Sequence, residues 1–326
     1  MRYCLLLLMM LLQACQDPPN ERADDAFALT DRIVVNAVFS HDGSLAATYD
    51  QDKTISLWDL SSRTRRWALD GQALGERVRA MVIANNNQHL LIAGEHKVSM
   101  WSVATGKLEQ YFSVAGADEL ARVVSIAIAP NGLYVAVGFN DGSVNLLSFA
   151  DQSQRLFKPH QSDVAHLRWN NDSTQVMSAG YDGEVALWRF VDAQVLKTFT
   201  FPKRITSLAV SSDFQRFFAS DALHEQVIYD LVGGEPITKL HYTERFRWFR
   251  EALMIKDRAW LVTTSSKAHF TVWDSRTGAE LGSWRIAANS AEATVLALGG
   301  ASTGQVLSLS SDGIVERWDL NQLLSD

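Results

Sequence analysis

His160-Gln-Ser-Asp-Val-Ala-His-Leu-Arg-Trp169, followed beyond Asn170-Asn171-Asp172 by Ser178-Ala-Gly-Tyr-Asp-Gly-Glu-Val-Ala-Leu-Trp188, decides how this chain folds. Its apolar residues fall in short runs, Val164, Leu167 and Trp169, then Val185 and Leu187, with no helical period. Between the runs stand Asn-Asn-Asp and Tyr-Asp-Gly, residues whose side chains bond their own backbone or whose φ is free, and which therefore favour tight turns. Short apolar runs bounded in this way read as antiparallel strands.

Aligned on Trp188, the unit recurs at Trp58, Trp101, Leu147, Tyr229, Trp273 and Trp318, at intervals of 41 to 46 residues. Trp58-Asp59, Trp273-Asp274 and Trp318-Asp319 close their units with the dipeptide Trp-Asp. In repeat length and in that ending the chain resembles the WD40-repeat family of β-propellers. The resemblance spans residues 26–326 and implies an all-β, seven-bladed β-propeller of four-stranded antiparallel blades.

In that family a buried His, a Ser or Thr, an Asp and a Trp tie the loop before a blade's first strand to its second and third strands. By this resemblance His160, Ser178, Asp182 and Trp188 form a complete structural tetrad in blade four. The chemistry suits burial, because a carboxylate accepts from an imidazole, the imidazole bonds a hydroxyl, and the hydroxyl accepts the indole N–H. Blade one keeps Thr48, Asp52 and Trp58, and blade seven keeps Ser308, Asp312 and Trp318. Blade three has Asp141 with Leu147 in the Trp place, blade two has Glu95 and Trp101, and blades five and six match mainly through Tyr229 and Trp273.

The chain opens with Arg2 and an apolar run ending at Leu12, too short to span a bilayer and patterned as a signal peptide. Leu12-Gln13-Ala14-Cys15 resembles a bacterial lipobox, which implies cleavage of residues 1–14 and acylation of Cys15. Gln16, rather than Asp, follows the cysteine, so the resemblance points to the outer membrane of a bacterial envelope, facing the periplasm. Residues 15–25 are polar and Pro-containing, and read as a flexible tether. Cys4 and Cys15 are the only cysteines, so the mature fold must hold by packing without a disulfide. Few residues follow Trp318-Asp319-Leu320, too few for a further strand, so Ala26-Phe27-Ala28-Leu29 is expected to complete the last blade. Such closure pairs a sheet edge that would otherwise invite aggregation.

A formal net charge of −7, or −8 once Arg2 is removed, argues against nucleic acid as a partner, since phosphate binding needs clustered Lys and Arg. The eight histidines include no His-x-His or His-Glu-x-x-His, and neither a Gly-x-Ser-x-Gly elbow nor a phosphate-binding Gly-rich loop occurs, so no metal, cofactor or catalytic residue is expected. Across all seven innermost strands, where a propeller enzyme would place its chemistry, there is one acid, Glu251, with Arg79, Arg168, Arg250 and His166. The competing reading is a hydrolytic or quinoprotein-like enzyme with a site at the central channel. Its motif is Thr277 to Trp284, which resembles the Thr-Gly-x-x-x-Trp tail of quinoprotein repeats but is two residues longer.

The resemblance implies instead a non-catalytic scaffold for unknown protein partners, lipid-anchored to the membrane. Arg245, Phe246, Arg247 and Trp248 fall between blades five and six, where aromatic and Arg side chains suit a binding face and the local positive charge suits an acidic partner. Tyr181 and Asn140, in the matching turns of blades four and three, are expected on the same face.

Overall fold

In the computed structural model, which describes residues 23–223, 225–242, 248–266, 268–290, 292–302 and 304–325, the strands Val164–Trp169, Gln175–Gly180, Glu184–Arg189 and Val195–Thr200 form one antiparallel sheet in chain order. The same sheet is built from residues 34–70, 80–113, 123–157, 205–239 and 249–285. The seventh takes Val295–Ser302, Gln305–Ser310 and Ile314–Asp319, and adds Asp25–Ala28 at its outer edge. This is the seven-bladed propeller of the sequence reading.

Sequence dictates which strand sits where. Val176 to Gly180, in the second strand of blade four, is buried throughout, because a neighbouring blade covers each of its faces. The outer strand Val195–Thr200 exposes Val195, Leu196, Thr198 and Thr200, and buries Phe199 toward the core. Innermost strands carry a register irregularity near their start, at Val164/His166, Val34/Asn36, Val123/Ser125, Ile205/Ser207, Phe249/Glu251 and Val295/Ala297. A bulge there raises the local twist, which a radially arranged sheet requires.

The core lies between blades. Trp188 is fully buried with Val144 and Leu146 of blade three, and meets Phe157 edge-on at 4.6 Å. Trp318 of blade seven stacks flat on Phe270 of blade six at 4.2 Å. Where Tyr229 replaces the Trp, it stacks on Phe217 at 5.2 Å. Polar ties follow the same seams, each from an outer strand to a carbonyl in the next blade's last turn: Trp67 to Val103 (2.9 Å), Arg155 to Val191 (2.5 Å), Lys197 to Leu231 (3.0 Å) and Thr238 to Thr277 (2.9 Å).

The closing strand differs from the expectation by one residue. It is Asp25–Ala28, with Asp25 paired to Arg317 and Phe27 to Val315, and Asp24 already donates its N–H to the Arg317 carbonyl at 2.7 Å. The last two residues assigned to the tether therefore belong to the blade. After the Trp-Asp ending the chain turns into a short helix, Leu320–Leu323, because Asp319 accepts the N–H groups of Asn321 and Gln322 and so caps its start. Residues 1–22, with Cys15, lie outside the described residues, and among those described no helix is long and apolar enough to cross a membrane.

Candidate functional site

His160 stands in the loop that leads from the outer strand of blade three into blade four, and the second and third strands of blade four present Ser178 and Trp188 to it. The Trp188 indole N–H donates to Ser178 Oγ at 3.1 Å, and Ser178 Oγ lies 2.8 Å from His160 Nε2. His160 Nδ1 is 3.1 and 3.2 Å from the two oxygens of Asp182. These contacts assign the imidazole proton to Nδ1, with Nε2 accepting the serine proton. Burial raises the Asp182 pKa, but the imidazole and the N–H groups of Gln161 and Glu184 outweigh it and hold the carboxyl below its usual range. The four residues come together as one closed chain of hydrogen bonds.

His160, Asp182 and Glu184 bring possible ligand atoms within 4.8 Å of one another. Both ring nitrogens of His160 are already hydrogen-bonded, to Asp182 and to Ser178, so a metal there would have to displace the Nδ1 proton.

The tryptophan-to-hydroxyl bond recurs with the same separation in sequence at Trp58 to Thr48 (2.9 Å), Trp273 to Thr263 (2.8 Å) and Trp318 to Ser308 (3.0 Å). Thr263 was missed in the sequence, although a hydroxyl ten positions before the Trp was the signal. Trp101 instead bonds Ser99 in its own strand at 2.9 Å. Asp52, placed in the tetrad position of blade one, is an exposed partner of Arg32 at 3.5 Å. Glu95 of blade two binds Arg79 at 2.5 Å, and Asp312 of blade seven accepts the N–H groups of Asn289 and Ser290.

The innermost strands enclose a channel of about 990 Å³. Its charged lining is Asp42, Arg168, Arg250, Glu251 and Lys256, with His41 at one turn. Asp42 is held by Ser40, Ser44 and Asn87. Burial pushes the Glu251 carboxyl up to about 7 against the pull of Arg168 and Arg250. Burial, together with Arg168, pushes the His166 imidazole down to about 3, so it is neutral at pH 7. The two carboxyl groups of the lining are thus set differently, Glu251 under the pull of Arg168 and Arg250, and Asp42 bonded to Ser40, Ser44 and Asn87.

On one face of the ring, the loop entering a blade is bonded to the turn between its second and third strands. Tyr181 N–H donates to Asp163 O (2.9 Å), Asn140 to Arg122 (3.1 Å), Ala222 to Arg204 (3.0 Å) and Gln51 to Ile33 (2.9 Å). Asn140 is exposed, and its side-chain oxygen accepts the Arg122 N–H at 2.7 Å. Tyr181 and Trp248 are each 43% exposed. The guanidinium carbon of Arg204 lies 5.4 Å from the centre of each of these two rings. Arg245, Phe246 and Arg247 lie outside the described residues. The sequence reading thus puts Tyr181 and Trp248 together but misses Arg204, which precedes its inner strand as Arg122 precedes the inner strand of blade three.

Comparison with known proteins is consistent with this architecture. Residues 30–59 and 151–189 match the family model of the WD domain, G-beta repeat. Angio-associated migratory cell protein of Homo sapiens is 25% identical over 202 residues, covering 58% of this chain and 46% of the relative. Cell division cycle 20.1, cofactor of APC complex, of Arabidopsis thaliana is 38% identical over 96 residues, 29% of this chain and 20% of the relative. Apoptotic protease-activating factor 1 of Homo sapiens is 24% identical over 162 residues, 48% of this chain and 12% of the relative. The chain spans less than half the length of these curated relatives. Two segments of the chain are thus similar to the WD-domain repeat, and that similarity supports a place among the WD40 propellers.

Proposed function

We propose that this WD40-repeat propeller is a non-catalytic protein-protein interaction scaffold, held by acyl chains on Cys15 at a bacterial envelope membrane, in the outer membrane facing the periplasm. It meets its partner through the face that carries Tyr181, Arg204 and Trp248. The observation that carries the reading is the pair of half-exposed aromatic rings, one in a turn of blade four and one in the loop entering blade six, that meet at Arg204 of the loop entering blade five. Tyr and Trp bury large area at low entropic cost while keeping a polar tip, so they dominate binding energy where they are exposed together. The repeat match and the WD-repeat relatives support the scaffold class. The Arg2-to-Cys15 pattern supports the anchor.

A photo-crosslinking residue placed at Tyr181 tests the reading in the native envelope. A specific protein adduct that forms from position 181, and not from the exposed Leu108 on an outer strand, is the expected result. Adducts that do not depend on position would remove the face from consideration.

A further inference from the structure

We propose that Arg204, which lies over the rings of both Tyr181 and Trp248, is a receptor for a carboxylate side chain in an acidic segment of the partner, an inference that rests on the interaction-face reading above. The guanidinium carbon lies over both rings, 5.4 Å from the centre of each, within the ~6 Å over which an aromatic face attracts a cation. A guanidinium is poorly hydrated on its faces and donates hydrogen bonds from its edges. Contacts to ring faces use none of the N–H donors, and they restrict the side chain before any partner arrives.

Among the described residues Arg204 donates no side-chain hydrogen bond and forms no ion pair. Elsewhere Arg79 is bound to Glu95 at 2.5 Å, Arg32 to Asp50 at 3.3 Å, and Arg189 to Asp192. A planar fork that pairs with no carboxylate among the described residues, on an otherwise acidic chain, matches a carboxylate in shape and in charge. The single charge matches Asp or Glu better than a phosphate dianion. Lysine could supply the charge but not the fork.

The test uses an array of short peptides, each spotted as an acidic form and as its Asn/Gln twin, probed with the purified chain and with Arg204→Ala, Arg204→Lys and Tyr181→Ala. Wild type should favour acidic twins by about tenfold, as one charge-assisted bidentate contact allows. Both Arg204 variants should lose that preference at an unchanged melting temperature, and Tyr181→Ala should weaken it. Equal binding of the twins by wild type, or a preference that survives in both Arg204 variants, overturns the carboxylate receptor. The crosslink from position 181 reads the face independently. An adduct without acidic preference sinks this inference alone, whereas acidic preference without an adduct sinks the partner reading.

Discussion

Ser308 gives its hydroxyl proton to Glu316 Oε2 at 3.1 Å, so that in blade seven a buried carboxyl takes the place that His160 holds beside Ser178 in blade four. Glu316 also accepts the Ala287 N–H at 2.6 Å and is 3% exposed. Burial pushes its pKa up to about 7 from an ordinary 4.5, against the pull of these two bonds. The unfolded chain therefore loses this proton well before the folded chain does. The sign follows: the contribution to stability is fully present below pH 4.5, falls as pH rises toward 7, and stays lost above it. Glu316→Gln should gain stability relative to wild type as pH rises from 5 to 8, by at most about 3 kcal/mol, at about 1.4 kcal/mol per pKa unit. Denaturant melts of both proteins across that range check it, and parallel curves would show that Glu316 does not titrate as described.

The tetrad of blade four invites graded substitutions. Trp188 is fully buried, so Trp188→Ala should cost about 3 to 5 kcal/mol. Asp182→Ala leaves the His160 ring and two backbone N–H groups without their acceptor, and should cost about 1 to 3 kcal/mol. Asn171 reads from sequence as a free turn residue, but its amide donates to the Ser212 carbonyl of blade five at 2.6 Å. Asn171→Ala should accordingly cost up to about 1 kcal/mol, as an exposed hydrogen bond is lost. Equal unfolding midpoints for the three variants would contradict this ordering.

Repeat number, strand order and the N-terminal closure were legible because each rests on local pattern: a turn signal, an apolar run, a large residue at a fixed interval. The tetrad was legible for the same reason, since its residues lie within one repeat. What escaped is set between repeats. Arg204 acquires its role from Tyr181 and Trp248, which belong to different blades, and no spacing within a single blade encodes that meeting. Glu316 was unreadable as a tetrad member because it reaches Ser308 from the third strand, while the expected acid, Asp312, caps a loop. Thr263 lies at the same ten-residue interval before its Trp as Thr48 and Ser308, and so was readable from spacing alone.

Gly142 and Gly132 separate backbone strain from crowding. Both have positive φ, +88° and +72°. A Cβ at Gly142 would stand 2.1 Å from the His160 carbonyl oxygen, whereas at Gly132 it would meet nothing within 4 Å. Gly132→Ala should cost about 1 kcal/mol from the left-handed backbone alone. Gly142→Ala should cost clearly more, because the atom in the way is backbone and belongs to the residue that anchors the tetrad. Similar losses in chemical denaturation would mean that the loop at His160 yields freely.

Anchoring is tested at Cys15. Acyl chains added at its sulfur would supply the membrane attachment, because stable binding needs more than one chain and the tether is too polar to insert. Cys15→Ser should leave the propeller folded and move it from the membrane to the soluble fraction, or strand it with its leader uncleaved. A Cys15→Ser protein that still resists carbonate extraction would sink the lipoprotein reading.

The seam where the ring closes should be its weakest joint. Asp25–Ala28 is short, and ties the seventh blade to the opposite end of the chain. Phe27 supplies much of the grip: Arg63, from the turn between the last two strands of blade one, lies 4.4 Å over its ring, and Arg317 lies 5.9 Å from the same ring. Arg63 also reaches Asp25 at 2.5 Å, so one side chain fastens the closing strand to the neighbouring blade. An exposed ion pair of this kind contributes little by itself, so the ring should matter more than the charge. Phe27→Ala should raise amide exchange at Val315 and its neighbours in the third strand of blade seven, while exchange in blade four stays as in wild type. Asp25→Ala should have a smaller effect of the same kind. A local opening is expected because elements with few buried contacts unfold ahead of the whole. If Phe27→Ala accelerates exchange uniformly around the ring, the seven blades unfold as one unit and the closure is no weaker than any other seam.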